Sequence, residues 1–303
     1  MLTDSPAPGL LRELVRTRLD QLAAERADLG PALELQKTLL NLEIGLLEKI
    51  RGGGMPSLSL PQGYIAAKLR RGIPVLHGEP VPLPALLLAV GAREFCGYLQ
   101  AAQSGKPADA LAQAFDSGAL DVGVLLSACF GRDQMRVRVM AAHHSVSADF
   151  AWLVAELALA PFAYLLQRQV FKDGLQSPAA WDRGVCPVCG SWPAFIEAGD
   201  AHVLRCSFCA LGWELASYRC LYCSDDSETF VTAAPDPEKN GRRLQLCGKC
   251  GGYVKVLELP GPTLFPVVAI EDLASMDLDM AAIDRNYLRP ALPEIKKQGA
   301  AKR

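Results

Sequence analysis

The 303-residue chain is half hydrophobic by composition, contains ten cysteines and carries a formal net charge of −2 at pH 7. Such a length supports two domains with a sizeable core, and the near-neutral charge excludes a protein that grips nucleic acid through a general basic field. The longest apolar run, 150–166, contains Glu156 and Pro161 and is too short to cross a bilayer comfortably, so it reads as a buried helix and not as a membrane span.

The first part of the chain reads as helices. Leu11, Leu14, Val15, Leu19 and Leu22 recur at helical spacing with charged residues between them, which gives one buried face. Leu33, Leu39, Leu40, Leu46, Leu47 and Ile50 predict a second helix, stopped by Gly52-Gly53-Gly54 and the Pro56 loop. That glycine run lacks the Gly-Lys-Ser/Thr ending of a phosphate-binding loop. Further helices are expected over 85–103, 108–115, 119–129 and 145–170, and strand-like alternation is scarce before residue 180. The run Lys172-Asp173-Gly174 to Ser177-Pro178 reads as a hinge. After it, Trp192 to Ile196 and His202 to Arg205 form one expected hairpin, and Glu228 to Thr232 with Arg243 to Leu246 form another. The stretch 253–259 alternates like a strand able to extend the second hairpin, and the two hairpins, as an internal duplication, could stack as twin ribbons. Leu273, Met276, Met280, Ile283 and Tyr287 then mark a final helix whose apolar stripe packs on the helical domain, followed by a frayed tail at 296–303.

Eight of the ten cysteines fall into four Cys-x-x-Cys pairs within 65 residues: Cys186 and Cys189, Cys206 and Cys209, Cys220 and Cys223, Cys247 and Cys250. A pair at this spacing turns both sulfurs toward one point, and two pairs complete a tetrahedral four-cysteine metal cage. The hairpin between the first and second pairs and its repeat between the third and fourth argue for sequential pairing; interleaving is the alternative that spacing leaves open. Closed four-cysteine sites are usually structural, the metal supplying folding energy that a small hairpin cannot obtain from apolar burial. With no secretory leader in the sequence, the thiols fit metal ligation in a reducing cytoplasm better than disulfides. Between 181 and 260 there are 8 Lys/Arg against 10 Asp/Glu; eight thiolates and two divalent ions would take that balance from −2 to −6, which disfavours nucleic acid as a partner.

The other candidates are weaker. Cys96 and Cys129 sit in apolar helical surroundings and read as small buried hydrophobes. His143-His144 reads as a polar loop just before a helix, and His202 lies close enough to Cys206 to replace a thiolate, although four cysteines already complete the cage. Asp225, Asp226 and Glu228 read as solvated turn residues, and Lys68-Leu69-Arg70-Arg71 as a solvent-facing basic patch. No nucleophile with a base and no half-open metal site emerges, so the chain reads as a non-enzyme; the rival is a thiol-disulfide or sulfur-transfer enzyme using exposed Cys-x-x-Cys thiols.

The run Cys186-Pro187-Val188-Cys189-Gly190-Ser191-Trp192-Pro193, then Leu204-Arg205-Cys206 with Cys209, Trp213, and Arg219-Cys220 with Cys223, resembles the formate dehydrogenase accessory protein FdhE family. Cys250-Gly251-Gly252-Tyr253-Val254-Lys255-Val256-Leu257 and Glu271-Asp272-Leu273-Ala274-Ser275 continue the match. The resemblance implies a cytoplasmic, non-catalytic maturation factor that binds the catalytic subunit of respiratory formate dehydrogenase, with rubredoxin-like iron in the four-cysteine sites and zinc as the alternative metal. One departure is that only the first and fourth pairs are followed by glycine, Gly190 and Gly251; Ala210 and Ser224 follow the others. The expected fold is α+β, with a helical domain at 1–180, rubredoxin-like or zinc-ribbon modules at 181–219 and 220–265, and a C-terminal helix and tail at 266–303.

Overall fold

A computed structural model describes residues 6–102, 105–171, 181–235 and 241–292. Eight helices come first: α1 (Pro8–Glu25), α2 (Gly30–Lys49), α3 (Gln62–Arg70), α4 (Ala85–Ala101), α5 (Lys106–Asp116), α6 (Val122–Phe130), α7 (Gln134–His143) and α8 (Ala148–Val170). The leucine periodicities hold: Leu11, Val15, Leu19 and Leu22 are the buried stripe of α1, which packs along α2. The α2 helix runs into a π-turn, Ile50–Gly54, at the glycine run. Asp121, Asp133 and Ser147 cap α6, α7 and α8, each accepting a backbone N–H of the first turn.

The 23-residue α8 is long and apolar enough to cross a bilayer. Here it is the axis of the helical part, packed against α2, α4, α5, α6 and α7. Two helices have no expectation behind them, α3 and α7. In α7 only Val137 and Ala141 are buried while Met135 and Val139 face solvent, so no apolar stripe announces it. His143 is the last residue of α7 rather than part of a polar loop, correcting the sequence reading, while His144 caps that helix in the turn leading to α8. Lys68 corrects another: its Nζ is buried and donates to the carbonyls of Val75 and His77, each at 2.7 Å, and to Glu79 at 2.5 Å. Only Arg70 and Arg71 of that basic run are exposed.

Glu43 is a lone acid on the buried face of α2. Burial pushes its carboxyl up to about 8. The folded state then keeps a proton that the unfolded chain releases, so the associated stability is present at acid pH and is lost as pH rises through that value. Relative to the wild type, Glu43→Gln should gain about 3 kcal/mol of stability between pH 5.5 and 8, measured by denaturant unfolding at both pH values. Parallel pH profiles would show that the carboxyl is not buried in the native protein.

The second half is one six-stranded sheet. Its strands are β1 (Pro193–Ala198), β2 (His202–Cys206), β3 (Gly212–Glu214), β4 (Phe230–Ala233), β5 (Arg242–Cys247) and β6 (Tyr253–Glu258), in the order β3-β2-β1-β6-β5-β4. Each ribbon is antiparallel within itself, and the two meet edge to edge through a parallel pairing of β1 with β6, Phe195 opposite Lys255 and Ala198 opposite Glu258. The twin ribbons are thus continuous rather than stacked. Pairing the two edges satisfies backbone groups that stacking would leave open. The hinge expected at 172–178 and the tail at 296–303 lie outside the described residues.

The final helix is broken at Ser275 into α9 (Val268–Ala274) and α10 (Met276–Ile283). Its expected apolar stripe is not the buried face: Met276, Met280 and Ile283 are exposed, while Leu278 and Ala282 are buried. The reason is a set of basic groups that draws the acidic face inward. Fully buried Lys255 of β6 reaches Asp272 at 2.6 Å and Asp279 at 2.8 Å, and Arg18 of α1 makes a two-pronged pair with Glu271 at 2.6 and 3.0 Å. From there the chain returns to the helices, with Trp192 Nε1 donating to the Ala291 carbonyl and Gln134 Nε2 to that of Leu292.

Candidate metal centres

Each Cys-x-x-Cys pair folds as a tight knuckle. The N–H of the first cysteine donates to the carbonyl five residues on: Cys186 to Ser191, Cys206 to Leu211, Cys220 to Asp225 and Cys247 to Gly252, at 2.7–2.9 Å. In three of them the residue after the second cysteine also donates back to the first, from Gly190, Ser224 and Gly251. Closing that turn requires the left-handed region, and all four residues adopt it: Gly190 (φ 78), Ala210 (φ 58), Ser224 (φ 61) and Gly251 (φ 69). The two knuckles that lack glycine therefore keep the same backbone at a steric cost. Ala210→Gly and Ser224→Gly should each stabilise the protein by roughly 0.5–1 kcal/mol, and Gly251→Ala should cost about 1 kcal/mol through backbone strain alone, since a Cβ there meets no atom within 4 Å. Thermal unfolding of the three variants decides it; a stabilising Gly251→Ala would contradict the account.

The knuckles gather sequentially. Cys186, Cys189, Cys206 and Cys209 form one group of four sulfurs and Cys220, Cys223, Cys247 and Cys250 another, each with all sulfurs within 4.8 Å of one another. Sulfur–sulfur distances in the first include 3.6 Å for Cys186 to Cys209, 3.5 Å for Cys189 to Cys206 and 3.6 Å for Cys189 to Cys209. In the second they include 3.7 Å for Cys220 to Cys250 and 3.6 Å for Cys223 to Cys247. A tetrahedron with metal–sulfur bonds of about 2.3 Å has edges of about 3.8 Å, whereas a disulfide needs about 2.05 Å. Both cages therefore fit a tetrahedral thiophilic ion. His202 is not part of either: it stands exposed at the start of β2.

The two cages differ in setting. All four sulfurs of the first belong to buried residues, and the helical part walls it in: the Val75 and Leu76 N–H groups donate to the Pro187 and Val188 carbonyls inside the first knuckle, at 2.8 and 2.9 Å. Arg132, from the turn between α6 and α7, is buried beside this cage. Its guanidinium pairs with Glu156 of α8 at 2.5 Å, donates to the Ser191 hydroxyl and lies over the Phe208 ring at 3.9 Å. Ser191 Oγ is in turn 3.5 Å from Cys189 Sγ. Sequence reasoning missed Arg132 and Ser191, because no local pattern connects a turn at residue 132 with a knuckle at 189.

Without a metal, burial pushes the thiols of Cys186 and Cys209 well above their ordinary range. Burial acts on Cys189 too, yet the hydrogen bonds of the three neighbouring thiols, with the Arg132 charge, hold it well below that range. The cage thus accommodates a thiolate at Cys189 readily and resists ionisation of Cys186 and Cys209 until a cation replaces their protons.

The second cage is open on one side. Cys220 and Cys247 are buried, Cys223 and Cys250 exposed. Burial opposes ionisation of Cys247, but the backbone N–H groups of Cys250 and Lys249 bring its thiol below the ordinary value. Asp225, expected to be solvated, is buried beneath this cage and accepts from Ser227 at 2.8 Å and Thr229 at 3.0 Å, with Lys249 at 3.3 Å; Asp226 and Glu228 are exposed as expected. Cys96 and Cys129 belong to neither group. Both are buried, with burial pushing the Cys96 thiol up to about 11 and the Cys129 thiol higher still, which suits packing and not nucleophilic chemistry.

Fold and site together define a protein of mixed α+β class in which a helical part backs one sheet carrying two four-cysteine groups able to hold metal ions. No model of a known protein family matches the chain. Relatives named FdhE do. A "Protein FdhE homolog" from Aquifex aeolicus is 30% identical over 115 residues, 36% of this chain and 40% of its own length, and another from Pectobacterium atrosepticum is 30% identical over 156 residues, 50% of this chain and 48% of its own. The chain thus spans less than half the length of these curated relatives. The crystal structure of the FdhE protein from Pseudomonas aeruginosa has the same fold, with a TM-score of 0.55 at 24% identity, covering 95% of this chain and 97% of that one. The resemblance to the FdhE family read from the knuckles is borne out, in sequence over about half the chain and in fold over nearly all of it.

Proposed function

We propose that this chain is an accessory factor in formate dehydrogenase maturation, acting in the cytoplasm by binding the catalytic subunit rather than by catalysing a reaction. The helical domain at 1–180 serves as the platform, the ribbons at 181–219 and 220–265 carry the cages, and the eight knuckle cysteines are the metal ligands. The observation that carries this reading is the pair of four-cysteine cages built into one sheet, in a chain similar to FdhE proteins. Iron is the proposed metal and zinc the alternative, since four soft thiolates at tetrahedral spacing suit either; iron would add a one-electron couple and zinc would not.

The test is anaerobic affinity purification of the tagged protein from cytoplasm in which a formate dehydrogenase is expressed. Retention of the catalytic subunit through a salt wash is the expected result. Its repeated absence would contradict the accessory role. The exposure of Cys223 and Cys250 favours a second reading, a thiol-disulfide or sulfur-transfer enzyme. That reading requires rapid alkylation of one pair in the native, metal-loaded protein, and slow, uniform protection would dispose of it.

A further inference from the structure

We propose that the cleft between the end of α3 and the third knuckle is a docking site for an acidic segment of the partner protein. The proposal rests on the reading above that this chain acts by binding a partner. The cleft measures about 330 Å³ and is walled by Arg70 and Gly72 on the helical side, Asp182 and Arg183 on the approach to the first knuckle, and Arg219 and Ser224 on either side of the third. Three guanidinium groups against one carboxylate make it locally basic in a chain whose net charge is −2.

The one acid is already engaged. Asp182 takes Arg219 at 2.5 Å, its carbonyl accepts from the same guanidinium at 3.0 Å, and its other carboxylate oxygen accepts the Ala216 N–H at 3.3 Å. Arg70 and Arg183 have no carboxylate partner among the described residues. Arg183 is nevertheless held in place. Buried Trp213 donates its indole N–H to the Arg183 carbonyl at 3.0 Å, and the guanidinium lies on the backbone of Gly72, where a Cβ would come within 2.7 Å of it. Gly72 has φ +68, so this seat needs glycine for its backbone as well as for its space.

Guanidinium forks at a fixed seat select oxyanions that present two oxygens side by side, above all carboxylates and phosphates. Two considerations favour carboxylates on a polypeptide. The volume is at the small end for an enclosed small-molecule site of about 300–1,000 Å³, but side chains from a segment laid across it would fill it. Ser224 directly follows Cys223, an exposed corner of the second cage, and a four-thiolate cage holding a divalent ion carries a net charge of −2, which repels a compact polyanion more than separated carboxylates. A segment docked here would also come up to the open side of that cage.

The test compares the full chain with Arg70→Gln/Arg183→Gln and, as a control of equal charge change, with Arg136→Gln/Arg138→Gln on the exposed surface of α7. Binding of a fluorescein-labelled hexaglutamate peptide should weaken at least tenfold in the cleft variant and stay within twofold in the control, and pyrophosphate should compete less well than unlabelled peptide. Equal weakening by both pairs would reduce the effect to general charge, and stronger competition by pyrophosphate would make the cleft a small-oxyanion site; either overturns the proposal. In co-purification, loss of the formate dehydrogenase catalytic subunit from the cleft variant alone supports the docking site. Retention by every variant overturns it and leaves the accessory role standing. Absence of the subunit from the wild type as well would sink the accessory role, and the peptide titration would then decide the cleft by itself.

Discussion

Replacing Cys206 by serine is expected to empty the first cage and unfold the ribbon around it. Its four sulfurs are sealed between β1, β2 and the helical part, and a structural metal held by four cysteines contributes on the order of 10–16 kcal/mol of apparent folding free energy, much of which a three-thiolate site forfeits. A net loss of about 5 kcal/mol would lower Tm by roughly 8 °C in a protein of this size. Cys250→Ser should also release one metal ion, but with a smaller fall in Tm, because the second cage is open to solvent at Cys223 and Cys250 and supports fewer buried contacts. Elemental analysis and thermal unfolding of the two variants give the answer. Unchanged metal content and Tm for Cys206→Ser would mean that these sulfurs do not carry a metal.

The second large effect is expected at Arg132. Its guanidinium is the buried cation beside the first cage, joined to Glu156 of α8 and to the Ser191 hydroxyl that approaches Cys189. Arg132→Met leaves that carboxylate without its partner, which costs about 3–5 kcal/mol for a buried pair. Glu156 is one-third exposed, so the lower end applies. Groups that orient a ligating sulfur change metal affinity by roughly 10–100-fold when removed, so the first cage should surrender its metal to a chelator at correspondingly lower concentration. Arg132→Lys should fall between, because one ammonium keeps the charge without the fork that spans Glu156 and Ser191. The second cage is the internal control in the same molecule. If both cages lost metal together, Arg132 would be acting on global stability and not on the first cage.

What could be read from the sequence is what depends on near neighbours in the chain. The knuckles are four-residue patterns, and the hairpins between paired knuckles are long enough to show their strands, so the sequence favoured sequential grouping of the eight cysteines while spacing left interleaving open, and the structure groups them sequentially. The helices with strong leucine stripes, α1, α2 and α4, were equally legible. The parallel pairing of β1 with β6 was not, since it joins Phe195 to Lys255 across sixty residues of chain. The same distance effect reversed the final helix: its methionines look like a core face until buried Lys255 and Arg18 are seen to claim Asp272, Asp279 and Glu271. Ala210 and Ser224 look like breaks in the glycine pattern, yet the turn imposes the left-handed backbone on them, because both cysteines of the pair must still face one point.

The most direct test of the account is the metal content of the anaerobically purified protein, measured by elemental analysis together with the rate at which its cysteines alkylate. Two tightly held ions per chain, with the eight knuckle cysteines protected until a chelator is added, is the predicted result. A folded, metal-free protein whose knuckle thiols alkylate freely would contradict it.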